Sequence, residues 1–437
     1  MTNLRATLVL LALTTLSVSS ARAQHETGPW RALAREASGT AWDASPVAHA
    51  GGEAGEWSAM LHGRAFLFHA DEGGERGEAE WVGTNWLMGH VEGPVLDGRL
   101  RLRAMASVEP WTVQGCGYPN LLQSGERCDG LPIADAQHPH DLFMELSATY
   151  ARAIAGGLVG EVYLAPVGEP ALGPAAFVHR ASSRTGPRAP IAHHWMDATH
   201  VSFGVATVAL AGERWKAEAS VFNGREPDQE RTDFDFAPLY STSARIQVEP
   251  VNGVVAQVSA GRLRDSHAHV TLVPEVLLCP ASTGCHREDA AAGRLDVDRL
   301  TASISWSGRR GTTGWAATAA WGSNREEDHG TTHALLLEGD VGLGKTHRFF
   351  GRAERVEKSD HELGIRPTIE DWRTGRVPSF PLQKLTLGYA YRFDGLGVAV
   401  PAVGVEVGWN RVPDSLEDRY GSRDTASALL FLSVERL

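Results

Sequence analysis

Residues 97–108, DGRLRLRAMASV, alternate with a period of two. Arg99, Arg101, Arg103 and Met105 fall on one side; Leu100, Leu102, Ala104, Ala106 and Val108 fall on the other. Successive side chains of a strand point to opposite faces, so this is a ribbon with one charged face and one apolar face. Two folds accept such a ribbon. A soluble sandwich turns the apolar face to a core, whereas a transmembrane barrel turns it to lipid and keeps the charges in a polar lumen. The choice rests on whether the ribbon recurs and on how its copies are joined.

It recurs along the whole chain. Runs at 56–68, 80–91, 97–108, 140–154, 158–166, 200–211, 214–223 and 241–250 are followed by runs at 254–263, 299–307, 314–321, 332–342, 346–357, 382–393, 400–410 and 425–437. The even-numbered gaps between them are short and the odd-numbered ones mostly long, the longest being 109–139, 167–199, 224–240, 264–298 and 358–381. Tight turns on one rim and long loops on the other predict an all-β fold over residues 56–437. It is a transmembrane antiparallel β-barrel of about sixteen strands with short periplasmic turns and long extracellular loops. An interior that wide has room for an aqueous channel unless an inserted segment fills it.

The ends of the chain agree with that placement. Residues 1–23 carry Arg5, an apolar run from Leu8 and a final Ala21-Arg22-Ala23, the pattern of a secretory signal peptide. No later apolar run reaches the roughly 18 residues a helical span needs. Residues 24–55 lack sustained periodicity and are expected to form a periplasmic or lumen-inserted extension. The composition includes 47 Gly and 13 Trp, suited to many tight turns and to interfacial aromatic belts. A net charge of −12 offers nucleic acid no basic surface. The location expected is the bacterial outer membrane, with membrane lipid, the barrel-assembly machinery and small solutes or ions as partners. Cys116 with Cys128, and Cys279 with Cys285, form two close pairs in predicted long loops and read as disulfide staples of an exported protein.

Several segments add a resemblance. Ser38–Trp42 (SGTAW), QHPHDLFMEL from Gln137, GEPALGP from Gly168, HHWMDATH from His193 and GREPD from Gly224 resemble an uncharacterised family of Gram-negative outer-membrane β-barrel proteins. The resemblance implies an exported barrel and assigns no substrate.

Three groups of residues bear on function. The first is the set of charges on the predicted inner face, among them Arg64, Arg99, Arg101, Arg103, Glu145, Arg245, Glu338, Arg352, Lys384 and Glu406. Charges in a wetted lumen set ion selectivity. They favour a porin-like channel for passive passage of small polar solutes or ions. The second is the loop histidines. His138, His140 and Asp141, with His193, His194, Asp197 and His200, offer imidazoles and carboxylates at spacings a Cu2+ or Zn2+ site uses. They support an alternative reading as a metal-binding outer-membrane protein. The third is the extension 24–55, which as a hatch would make the barrel a gated uptake channel for apolar compounds. No enzymatic activity is expected, since no G-x-S-x-G accompanies His140-Asp141. Residues 339–346, GDVGLGKT, spell a phosphate-binding loop but precede a strand pattern where such a loop needs a helix.

Overall fold

The computed structural model describes residues 29–45, 51–54, 57–271, 290–326 and 330–436. The expected leader lies outside the described residues. So do Cys279 and Cys285, and with them the second expected disulfide; Cys116–Cys128 is the disulfide among the described residues.

The barrel strands are β1 (Trp57–Glu72), β2 (Ala79–Val95), β3 (Gly98–Ala106), β4 (Phe143–Ala153), β5 (Val159–Gly168), β6 (Ser202–Ala211), β7 (Trp215–Phe222) and β8 (Ser241–Val248). They continue with β9 (Val254–Thr271), β10 (Ala290–Arg310), β11 (Thr313–Glu326), β12 (Gly330–Leu343), β13 (His347–Ser359), β14 (Ser379–Arg392), β15 (Ala399–Arg411) and β16 (Asp424–Arg436). Each pairs antiparallel with the next, and β16 returns to β1 with Phe431 opposite Phe68 and Arg436 opposite Gly63. The sixteen strands therefore close, with the short strand Gly51–Ala54 added beside the start of β1. Closure matters because lipid satisfies no backbone N–H or C=O; a sheet can cross a membrane only when every ladder position is paired.

The sixteen runs of the sequence map one to one onto these strands. They differ at the outer ends. β1 continues to Glu72 and β11 to Glu326, and the connection 73–78 is as short as the periplasmic turns. β4 starts at Phe143 and β6 at Ser202, which places His140 and His200 in loops rather than at strand starts. Residues 344–346 of the GDVGLGKT stretch form the turn between β12 and β13, with no helix to hold a phosphate.

The outer surface is what lipid requires. Leu337 on β12, Leu387 on β14, Val407 on β15 and Leu430 on β16 are exposed on the outside of closed strands. Exposed aromatic side chains flank them: Trp57, Trp215, Trp306 and Tyr391 towards the short turns, and Trp81 and Trp409 towards the other rim. An apolar band between two aromatic girdles is the exterior of an outer-membrane barrel. Replacing Leu387 by Arg in the middle of that band should destabilise the barrel by about 2–4 kcal/mol, read by urea titration of the protein refolded in lipid vesicles. Thr386→Ser on the inner face should cost far less.

Candidate functional site

The inner wall carries the charged residues named above. Arg64, Arg101, Arg103, Glu145, Arg245, Glu338, Lys384 and Glu406 are buried, and Arg99 and Arg352 half-buried. They do not face a water-filled bore. Two segments enter the lumen and take up their charges: residues 29–45 from the periplasmic end and the loop 169–201 between β5 and β6.

The N-terminal segment meets the basic part of the wall. Arg101 on β3 donates to the Leu33 carbonyl at 3.0 Å and pairs with Glu36 at 2.9 Å. Arg103 donates to the Gly39 carbonyl at 2.9 Å. Lys216 on β7 joins Glu36, and Arg245 on β8 donates to the Thr40 hydroxyl at 3.0 Å. Wall carboxylates complete these pairs, with Glu92 on Arg99 and Arg101, Glu145 on Arg103, and Glu218 on Arg245.

The loop 169–201 meets the acidic part. Between Glu169 and Asp197 it has no carboxylate, and its charged side chains are Arg180, Arg184 and Arg188. Arg180 pairs with Glu338 of β12 at 2.5 Å and with Asp197 of its own loop at 2.9 Å. Arg188 pairs with Glu72 of β1 and Glu406 of β15. Arg352 donates to the Ser183 hydroxyl at 2.7 Å, and Ser182 bonds Thr318 at 2.7 Å. Arg64 pairs with Glu435 and reaches the Arg184 carbonyl. Gly322 on β11 permits the close approach, since a Cβ there would stand 2.3 Å from the Trp195 carbonyl oxygen.

A hairpin of the loop 107–142, Tyr118–Cys128 and Leu131–Gln137, covers the outer side. The Cys116–Cys128 disulfide, which the spacing of that pair predicts, joins the chain just before this hairpin to the end of its first strand, beside the turn at 129–130. Asn120 and Gln123 donate to the Ala189 and Pro190 carbonyls, and Lys384 donates to Asn120 at 2.8 Å. Two pockets in the lumen, one beside Arg348 and Glu435 and one beside Trp86 and His140, hold about 30 Å³ each. That is room for a water molecule or two and no larger solute.

The loop histidines are not on the surface. His138, His140, His193, His194 and His200 are all buried. His140, His193 and His200 come together, with ring centroids 5.4 Å apart for His140–His200 and 5.1 Å for His193–His200. His138 and His194 stand beside them, 6.0 Å apart. Gly125 makes room for His194, whose Nε2 stands 2.0 Å from where a Cβ would be. The two aspartates of the expected ligand set face elsewhere. Asp141 turns to Arg231 at 3.5 Å, and Asp197 holds Arg180 and the Nδ1 of His193. Among the described residues, the side chains that bring three ligand atoms within 4.8 Å of one another are Cys116, Cys128 and Asp129, and Asp228, Asp233 and Asp235. The first of these sets includes the two disulfide sulfurs.

Burial governs the titration of this outer cluster. It pushes Glu126 up to about 8 and Asp141 up to about 7, against the pull of Arg231 on both. His138 and His200 are held well below the usual histidine range by burial and by neighbouring cationic groups. For His140 burial acts in the same direction, but the adjacent Glu109 carboxylate outweighs it and raises the value. Glu109 and Glu126 come from the loop 107–142 and Glu226 and Arg231 from the loop 223–240, and spacing along the chain carries no sign of their meeting. Arg180 and Arg188 did have a signal: a long stretch, 170–196, that has no carboxylate and is rich in Ala, Gly and Pro is poorly suited to bulk water.

A closed barrel with this exterior has one place to reside. The chain is a bacterial outer-membrane β-barrel. No protein-family model matches it, and no curated protein matches it in sequence. The barrel is similar in structure to an anion-selective porin from Comamonas acidovorans, with 10% identity, 87% of this chain and 99% of that chain covered, and a TM-score of 0.49. It is similar to a loop L8 deletion mutant of OmpT from Vibrio cholerae, at 8% identity, 87% and 99% coverage and a TM-score of 0.49. It is also similar to Salmonella typhi OmpF in complex with daunomycin, at 10% identity, 87% and 98% coverage and a TM-score of 0.48.

Removing one partner of a buried ion pair strands the others. Arg180→Ala should leave Asp197 without its guanidinium and Glu338 with Arg352 alone, and lower the barrel's stability by about 3–5 kcal/mol in the same urea titration. Arg214→Ala at the periplasmic rim should change it by less than about 0.5 kcal/mol.

Proposed function

We propose that the protein is a porin-like channel for small polar solutes or ions, closed in the state described by the two inserted segments. The observation that supports it is the kind of contact holding those segments. Residues 29–45 and 169–201 meet the wall through many ion pairs and hydrogen bonds, such as Arg101–Glu36, Arg245–Thr40 and Arg188–Glu406, beside apolar contacts such as those of Trp42 and Trp195. Exchanging a protein hydrogen bond for one to water changes free energy by only about 0.5–1.5 kcal/mol. A polar plug can therefore shift into a hydrated lumen at a cost an apolar core could not match.

In this reading Arg64, Arg99, Arg101, Arg103, Arg245, Arg352 and Lys384 set the charge preference of the opened bore together with Glu145, Glu338 and Glu406. The insertion of residues 29–45 favours a hatch at the periplasmic end. The charged wall behind that hatch suits polar cargo better than apolar compounds. Nothing in this function requires catalysis.

Single-channel recording separates these ideas. Residues 24–437 refolded into planar bilayers should show small or rare openings, and the same chain lacking 29–45 should conduct several-fold more. In that background Arg101→Glu with Arg103→Glu should shift the ion preference towards cations. A deletion variant that keeps the heat-shifted gel mobility of a folded barrel yet never conducts would count against the channel.

A further inference from the structure

The channel reading leaves one buried group unused. His140, His193 and His200 surround the ring of Phe177, at centroid distances of 6.1, 5.2 and 6.1 Å. The Nδ1 of each is engaged: with a Glu109 oxygen at 2.9 Å, with an Asp197 carboxylate oxygen at 2.8 Å, and with the Asp197 carbonyl at 2.8 Å, in that order. An imidazole that donates through Nδ1 offers its other nitrogen as a lone pair. The Nε2 atoms of His140 and His200 are buried and have no hydrogen-bond partner. Buried polar atoms are rarely left so, and an unmet one points to an absent ion or solvent.

Metal-ligating histidines share this arrangement. Their second nitrogen is held by a carboxylate or carbonyl, which fixes the ring and raises its basicity. We propose that the trio binds one borderline divalent transition-metal ion, Zn2+ or Cu2+, through Nε2 of His140 and His200, with His193 as the third imidazole. Nitrogen donors select against Mg2+ and Ca2+, which take oxygen ligands. Glu109 and Asp197 act as positioning residues, and the face of Phe177 keeps water from one side of the group. The three rings stand apart in the state described, and an ion would draw them towards the roughly 2.0–2.1 Å of a zinc–imidazole bond.

A way in from outside is also present. A vestibule of about 470 Å³ on the outer side is lined by carboxylates including Glu126, Glu226 and Asp228, together with Arg127 and Arg294. It shares Glu126 and Glu226 with a small pocket that reaches His138 and His194, the neighbours of the trio. The site does not depend on conduction, since a permanently closed barrel would hold it equally well.

The test uses residues 24–437 without a polyhistidine tag, folded in detergent and stripped of metal by a chelator. Calorimetric titration with Zn2+ should show one ion per chain, and Cu2+ should show imidazole nitrogen couplings in its electron paramagnetic resonance spectrum. Mg2+ should give no heat. His200→Ala and His140→Ala should each weaken Zn2+ binding at least tenfold, and Glu109→Gln should weaken it less, while His347→Ala at a periplasmic turn leaves it unchanged. Heat-shifted gel mobility identifies the variants that remain folded. Absence of Zn2+ and Cu2+ binding to the folded parent overturns the proposal, as does undiminished binding to a folded His140→Ala, His200→Ala double variant.

Discussion

A guanidinium inside a ring of sixteen strands has to find carboxylates, and Arg180 and Arg188 find theirs on the barrel wall. Each bridges two acids, Glu338 with Asp197 and Glu72 with Glu406. On the opposite side the direction reverses: the wall supplies Arg101, Lys216 and Arg245, and the N-terminal segment supplies Glu36 and the Thr40 hydroxyl. The interior depends on this complementarity. A buried charge is tolerated only when paired and hydrogen-bonded, so in the closed lumen wall and insert each supply the partners the other requires.

The same pairing explains why the plug is polar. An outer-membrane barrel already places its apolar residues on the lipid face, and the alternation of a strand leaves the opposite face to Arg, Glu, Ser and Thr. Any segment that fills such a bore must satisfy those groups. The loop 169–201 does so with backbone amides as well as side chains: Ala171 and Gly173 donate from their N–H groups to Ser220 and Ser259 on the wall. Apolar clusters also lie inside, where insert and outer loops meet, as around Trp195, Leu336 and Tyr420, and where the N-terminal segment meets the wall, as around Trp42 and Val255.

How much of this was legible beforehand varies residue by residue. The inward placement of Arg103, Arg245 and Glu406 follows from period-two alternation alone, because a strand has only two faces. Strand ends were less readable: β1 and β11 run past their expected limits because polar residues such as Asp71 and Asn324 belong equally well to the outer part of a strand. The histidines show the larger gap. Their number and clustering in two loops were plain, but their burial, and the approach of Glu109 to His140, arise only when the loops 107–142 and 169–201 pack on each other within the barrel.

The chain's own alternation determined the class of fold, the face each wall residue takes and the rim from which each loop leaves. These are local properties, set by strand geometry and by the demand that lipid be met with apolar side chains. Whether the lumen is filled, which carboxylate each arginine meets, and which imidazoles share a neighbourhood were decided only in three dimensions. Those contacts join residues as far apart in sequence as Arg64 and Glu435, and no periodicity in a sequence encodes the meeting of two irregular segments inside a closed wall.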